Sequence, residues 1–299
     1  MRKRKRYGKT ARFDSKSVLK RGIVLAAFML VCAVLLFYGL YAYEKTGTVI
    51  PTEELFDGRP TIRFVDVWQG DCTLITYKGD AVLIDAGNAS NGEKTADYIR
   101  LYAPEIDYMI ITHPHEDHMG GAAEVLSRVT VDNLVLRDIS VGESFYSKAI
   151  KQAEKSGTEI IRISEPTEYT VGDIHIEILD VFDLDYDDLN DSSMVTRVTV
   201  GSTTVLVTGD AERDEEALLL WRDADNLDCD ILKVGHHGSN TSTSEKFLEA
   251  VSPEKCVISC GRRNSYGHPS PEVLKRIRDY GAEIYRTDKG GTVVLRGEK

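Results

Sequence analysis

Between Thr112 and His118 the chain reads Thr-His-Pro-His-Glu-Asp-His, which places three of its seven histidines and two carboxylates within six residues. The run 106–111 before it is apolar and reads as a buried strand, and Gly120-Gly121 after it opens a helix. This constrains the fold: a strand must be buried up to Ile111 and must open at a polar mouth. In an extended segment residues i and i+2 point the same way, so His113 and His115 can grip one metal ion. Asp117 and His118 follow where the chain turns and can face a second ion beside the first.

The surrounding pattern predicts one large domain over residues 61–299. Strand-like runs occupy 61–67, 72–77 and 81–85, with helical stretches at 93–101, 120–127 and 145–156. A second strand-rich block covers 159–163, 175–179, 195–200 and 204–208. Helices at 212–224, 244–250 and 271–279 then alternate with strands at 230–234, 256–259 and 292–295. Two β-rich halves with interspersed helices suit two sheets stacked between helical layers. Cys72, Cys229, Cys256 and Cys260 sit in apolar contexts and read as buried free thiols. Cys256 and Cys260 share one predicted strand, about 13 Å apart, too far for a disulfide.

The N-terminus carries a separate signal. Residues 2–21 hold ten Lys/Arg against one acid, Asp14, and an uncharged, mostly apolar run follows over 22–43. Its length suits a bilayer core of about 30 Å. The basic flank predicts a retained single-pass anchor with residues 1–21 cytoplasmic and the remainder extracellular; a cleaved signal peptide is the alternative. Residues 44–60, containing Gly47, Pro51, Gly58 and Pro60, read as a linker. Removing the basic segment from totals of 37 Lys+Arg and 48 Asp+Glu leaves 27 against 47, a net charge of −20. Such a surface repels polyanions in general, although bound divalent ions would offset it locally. Several of those acids fall in residues 180–188, which read as a solvated loop.

The histidine motif resembles the central metal motif of the metallo-β-lactamase superfamily, His-x-His-x-Asp-His. The resemblance extends from about residue 61 to the C-terminus and is closest to the hydrolase domain of ComEC-type DNA-uptake proteins. Asp66-Val67-Trp68-Gln69-Gly70-Asp71 is similar to that group's opening motif, with Trp68 replacing a glycine. Leu83-Ile84-Asp85-Ala86-Gly87, Thr208-Gly209-Asp210, Val234-Gly235-His236-His237-Gly238-Ser239 and Tyr266-Gly267-His268-Pro269 match further motifs. The resemblance implies an α/β (α+β) fold, an αββα sandwich, here preceded by one N-terminal transmembrane helix.

It also implies roles. His113 and His115 would hold a first ion, Asp117 and His118 a second, with Asp210 bridging; the alternative for Asp210 is a helix cap. His236 or His237 would complete the second site, with His237 preferred because Gly-Ser follows it. Asp85 would support the histidine loop without touching metal. Asn190-Asp191-Ser192-Ser193 stands where many superfamily members have a further metal-binding histidine, leaving the first ion an open position that water, substrate, Asn190 or Ser193 could fill. The donor set suits two divalent ions, Zn²⁺ or Mn²⁺.

Asp117, His236 and His268 are the candidate catalytic residues, with His268 or the free member of the histidine pair protonating a leaving oxygen. Asn190, Ser193, Ser239 and Tyr266 are candidate substrate contacts. The expected activity is hydrolysis of a phosphodiester, with single-stranded DNA as substrate. A cell-wall phosphodiester such as phosphorylcholine or teichoic acid is the alternative, and a non-catalytic surface binding module a further one. A role in DNA uptake would need a separate membrane channel as partner.

Overall fold

The described residues build two seven-stranded sheets. The first contains β1 (Thr61–Phe64), β2 (Thr73–Tyr77), β3 (Asp80–Ile84), β4 (Glu105–Ile110), β5 (Thr130–Arg137), β6 (Glu159–Ile163) and the last strand, β14 (Val293–Arg296), in the order β14-β1-β2-β3-β4-β5-β6. The second contains β7 (Thr167–Val171), β8 (Ile174–Asp180), β9 (Val195–Val200), β10 (Thr203–Val207), β11 (Ile231–Lys233), β12 (Lys255–Ile258) and β13 (Glu283–Arg286), in the order β13-β12-β11-β10-β9-β8-β7. Pairing is parallel from β3 through β6 and from β10 through β13, and antiparallel elsewhere.

The period of two along each strand divides the core into layers. Ile62, Phe64, Val82, Ile84, Ile110 and Val135 of the first sheet meet Ile176, Val198, Val205, Val207, Ile231 and Val257 of the second. The opposite face of the first sheet, including Leu83, Met109 and Leu134, packs on three helices: α1 (Gly92–Tyr102), α3 (Ala122–Arg128) and α4 (Ser144–Ser156). A single helical turn, α2 (Glu116–Met119), precedes α3. On the other side Leu206, Leu232 and Cys256 pack on α5 (Arg213–Asp223), α6 (Glu245–Val251) and α7 (Pro271–Tyr280). The expected αββα sandwich is therefore the observed one. Covering both faces explains why β3, β4, β10 and β11 read as nearly continuous apolar runs.

This computed structural model describes residues 23–24, 27–34, 58–139, 141–180 and 189–299. The chain divides into two units, Met1–Pro51 and Thr52–Lys299. In the first, residues 23–24 and 27–34 are helical. Among the described residues no helix is long and apolar enough to cross a membrane. The basic segment 1–21 lies outside the described residues, as do most of the expected anchor 22–43, most of the linker 44–60 and the acidic stretch 181–188. Cys72, Cys229, Cys256 and Cys260 are buried free thiols.

Three strands were not evident from pattern. β5 carries Asp132-Asn133 in its first half, which breaks the apolar run, yet Asn133 Nδ2 donates to the Asp107 carbonyl of β4 at 2.9 Å. β7 and β13 are half-exposed edge strands with charged residues, as sheet edges tend to be. Two helical pieces, α2 and α3, stand here, the second of them being the helix expected over 120–127. The first begins inside the histidine motif, with His115 at its N-cap, so Asp117 and His118 project from a helical turn.

Candidate metal centre

The ligand-type residues lie beyond the C-terminal ends of β3, β4, β10 and β11, where parallel α/β sheets present their sites. Asp85 leaves β3 with φ of 60°. Its carboxylate accepts from the Thr112 backbone N and the Thr112 Oγ1, both at 2.8 Å, and lies 2.8 Å from His118 Nδ1. Fully buried, Asp85 thereby fixes the His118 ring and leaves Nε2 facing Asp210 Oδ1 at 3.2 Å. His113 is also buried, with Nδ1 3.3 Å from Ser193 Oγ and Nε2 3.0 Å from His115 Nδ1.

From the other sheet, Asp210 follows β10 and its backbone N donates to Ser193 Oγ at 3.0 Å. Its Oδ2 lies 3.4 Å from His237 Nε2, 3.8 Å from His236 Nε2 and 4.0 Å from His113 Nε2. One carboxylate thus faces four imidazoles drawn from both sheets. The cap of α5 is Glu212, so Asp210 is not spent on capping that helix.

His236 and His237 occupy a tight turn after β11, with φ of 47° and 53°. The pair separates by environment. His237 is buried, with Nε2 3.1 Å from Asp117 Oδ2 and Nδ1 within 3.1 Å of the Ser259 carbonyl and 3.2 Å of Asp71 Oδ1. His236 is half-buried, lies beside the cleft, and places Nδ1 2.9 Å from Glu212 Oε1. Gly70 is required nearby: its φ is 131°, and a Cβ there would run into the Asp117 carbonyl.

The donors fit a cation. Among the described residues, Asp71, His118, Asp210 and His237 each offer an atom within 4.8 Å of the others. His118 Nε2, Asp210 Oδ1 and His237 Nε2 are buried and make no hydrogen bond, an arrangement that asks for a positive ion between them. Asp71 stands apart, because its charge is matched by the buried Lys233 and it approaches His237 from the Nδ1 side. It reads as an orienting group for His237.

The electrostatics agree. Burial alone would lower the His118 pKa, but Asp210 and Asp85 hold it well above the usual imidazole value. His237 is raised in the same way, against burial, by Asp210 and Asp71. Burial would raise Asp210, yet His237 and His118 hold it well below the carboxylate range. His113 goes the other way, lowered by burial and by His118. The carboxylates that retain protons on these rings would equally retain a metal in their place.

Above the centre opens a cleft of about 590 Å³, lined by residues that include Gln69, His115, Asn190, His236, Tyr266 and His268. Of the four expected substrate contacts, Asn190 and Tyr266 line it. Ser193 and Ser239 are not among its lining residues. Ser193 is buried between Asp210 and His113, and Ser239 is buried with its Oγ 2.8 Å from Thr241 Oγ1. His268 is positioned by Asn264, which accepts from the His268 N at 3.0 Å and donates to its carbonyl. Burial, together with His237 and His236, draws the His268 pKa down to about 4.

Asp71, Lys233, Glu212 and Thr112 are the site residues that sequence reasoning left without a role. Lys233 offered a signal, as a lysine inside an apolar strand must find a buried partner.

A family model described as "Metallo-beta-lactamase superfamily" matches residues 65–262. The chain belongs to the metallo-β-lactamase superfamily. It is 30% identical over 258 residues to ComE operon protein 3 of Bacillus subtilis, covering 79% of this chain and 33% of that protein. It is 31% identical over 280 residues to Competence protein ComA of Neisseria gonorrhoeae, covering 92% of this chain and 36% of that one. Recombination protein 2 of Haemophilus influenzae matches at 31% over 234 residues, covering 77% and 28%. These relatives bear out the ComEC-type resemblance, and the chain spans about a third of their length. The fold resembles the metallo-β-lactamase fold protein YhfI of Bacillus subtilis, with a TM-score of 0.53, 16% identity, and coverage of 80% of this chain and 100% of that one. It also resembles CmlA, a diiron β-hydroxylase from Streptomyces venezuelae, with a TM-score of 0.57, 15% identity, and coverage of 84% and 55%. The superfamily fold is usually metal-dependent and hydrolytic, typically with two divalent ions.

Proposed function

We propose that the chain is a metal-dependent phosphodiesterase acting on DNA, with single strands as its substrate. The observation that carries this reading is the convergence of Asp117, His118, Asp210 and His237 beneath an open cleft, in a chain whose relatives include a competence protein and a recombination protein. His113 and His115 would hold one divalent ion and Asp117, His118 and His237 a second, with Asp210 shared. Imidazole and carboxylate donors suit Zn²⁺, and an oxygen-richer first position beside Asn190 would accept Mn²⁺. Bound ions would supply Lewis acidity toward a phosphoryl oxygen and make water easier to deprotonate.

The protein's own groups do the rest. Asp85 and Asp71 orient His118 and His237, and Ser193 fixes Asp210. Asn190 and Tyr266 present polar groups to the substrate from the cleft wall. Glu212 engages His236 Nδ1, which turns Nε2 toward the centre and makes His236 the better-placed donor of a proton to a leaving oxygen. His268, whose ring lies 5.6 Å from that of His236, is neutral at neutral pH and acts as a hydrogen-bonding partner.

The run 22–43 behind ten basic residues supports placement of the hydrolase outside the cell membrane on a single-pass anchor. A separate channel would then be needed for any uptake of DNA. A second reading keeps the chemistry but takes a cell-wall phosphodiester, favoured by the net charge of −20 beyond residue 21, a value obtained by removing ten bases and one acid from 37 and 48.

The test incubates the full chain and Asp117→Ala with single-stranded DNA in Mn²⁺ or Zn²⁺ and follows fragment length. Cleavage by the parent alone is expected. Metal binding without cleavage would reject DNA and direct the search to phosphorylcholine and teichoic acid esters.

A further inference from the structure

Two exposed aromatic side chains stand on loops that reach the cleft, Tyr266 lining it and Trp68 next to Gln69, which lines it. Trp68 is 58% exposed and Tyr266 is 69% exposed. Trp68 holds a left-handed backbone position, φ 68°, which disfavours any side chain and would suit the glycine of related motifs. Its N–H donates to Asp66 Oδ1 at 3.1 Å, which fixes the turn. A bulky ring that points to solvent from a strained position contributes little to the fold, so its use is better sought in a ligand.

The neighbourhood indicates which ligand. Gln69 follows Trp68 and lines the cleft, and its Oε1 accepts from the Gly261 N at 3.0 Å, joining the Trp68 turn to the loop 261–268. That loop carries Tyr266, whose ring stacks on His268 at 5.8 Å and 26°. The same loop exposes Arg262 and Arg263, with Arg262 Nε donating to the Asp288 carbonyl at 3.1 Å. Exposed arginines on the loop that carries a cleft-lining tyrosine match what a single-stranded nucleic acid requires, phosphates for the guanidinium groups and base faces for the rings.

We propose that Trp68 and Tyr266 form a platform that stacks the unpaired bases of a single-stranded nucleic acid, while Arg262 and Arg263 take its phosphates. This rests on the phosphodiesterase reading and states how that substrate is gripped. Paired bases hide their faces, so the platform selects single strands over duplex. It also supplies a local basic patch on a chain whose overall charge opposes DNA. A choline headgroup would also attract aromatic rings. Two guanidinium groups on the same loop repel a quaternary ammonium and favour a phosphate backbone.

The chain contains two tryptophans, so Trp221→Phe leaves Trp68 as the only indole reporter. Trp221 is 84% exposed on α5 and away from the cleft lining, so this exchange disturbs little. The full chain carrying Trp221→Phe is titrated, with chelator present to stop hydrolysis, with a short oligothymidylate, an abasic strand of equal length, and phosphorylcholine.

Saturable quenching by oligothymidylate is expected, with the abasic strand binding on the order of ten-fold more weakly and Tyr266→Ala weakening the oligothymidylate by a similar factor. Replacing both Arg262 and Arg263 by Ala should flatten the dependence of log K on log salt by about 0.7 per arginine. Equal binding of the abasic strand, no quenching, or quenching by phosphorylcholine alone would overturn the platform. Cleavage of DNA without quenching would remove the platform and leave the phosphodiesterase reading standing. Quenching without cleavage in any metal would support the platform and remove that reading.

Discussion

His118 and His237 face the same carboxylate, Asp210, from opposite sheets, yet each is oriented by a different device. Behind His118 stands Asp85, cradled by the backbone and hydroxyl of Thr112, all neutral donors. Behind His237 stands Asp71, paired with Lys233 in full burial. Burial raises the Asp85 pKa despite His118, whereas Lys233 and His237 bring Asp71 below its ordinary value against the same burial. One half of the site therefore tolerates a costly charge by local hydrogen bonding, and the other by a second buried charge. The contrast also has a topological side: Asp71 and Asp85 both flank strands of the first sheet, but Asp71 serves a histidine of the second. Asp71 is thus a covalently distant tie between the halves.

The largest expected effect removes what the two halves share. Asp210→Ala should lower metal-dependent hydrolysis at least about a thousandfold, since it deletes several kcal/mol of charge stabilisation. Steady-state assay beside metal content by mass spectrometry checks it, and near-parental turnover with full metal would end the shared-carboxylate reading. Next comes the buried pair. Lys233→Met takes from the buried Asp71 its lysine and leaves only His237 opposite, and should cost about 3–5 kcal/mol of stability. Combining it with Asp71→Asn should recover much of the loss in urea denaturation. A single-variant cost no larger than that of a surface lysine would show that the pair is not a structural element.

A smaller effect compares the two supports directly. Asp85→Asn and Asp71→Asn should each weaken metal affinity by about 10–100-fold. Competition with a chelating dye reads both, and an effect confined to one of them would break the symmetry of roles. The smallest concerns the neutral cradle. Thr112→Val removes one hydrogen bond to Asp85 and should cost about 1.5 kcal/mol, well below Lys233→Met in the same denaturation series. If the two costs were equal, the distinction between neutral and ionic support would lose its basis.

Much of this arrangement is legible in the sequence. The apolar run into Thr112, the spacing of His113, His115, Asp117 and His118, and the Gly-Asp turn at Asp210 are local patterns, and local chemistry suffices to read them. β5 was missed because its polar Asp132-Asn133 makes sense only beside the Asp107 carbonyl of β4. Ser193 was expected at the substrate or at the first ion, and no local pattern says that its hydroxyl lies between Asp210 and His113. Lys233 hid in plain view, since a strand period says that it is buried and not what it meets.

Periodicity and motif spacing act over a few residues, and they were enough to read the layered α/β architecture and the metal-type ligands at strand ends. What depends on tertiary packing is that His237 is buried in the ligand cluster while His236 stays partly exposed beside it, that Asp71 reaches across to His237, and that Gln69 ties the turn of Trp68 to the loop of Tyr266. Those relations join residues far apart in the chain. They depend on how the two sheets pack, which no local pattern encodes.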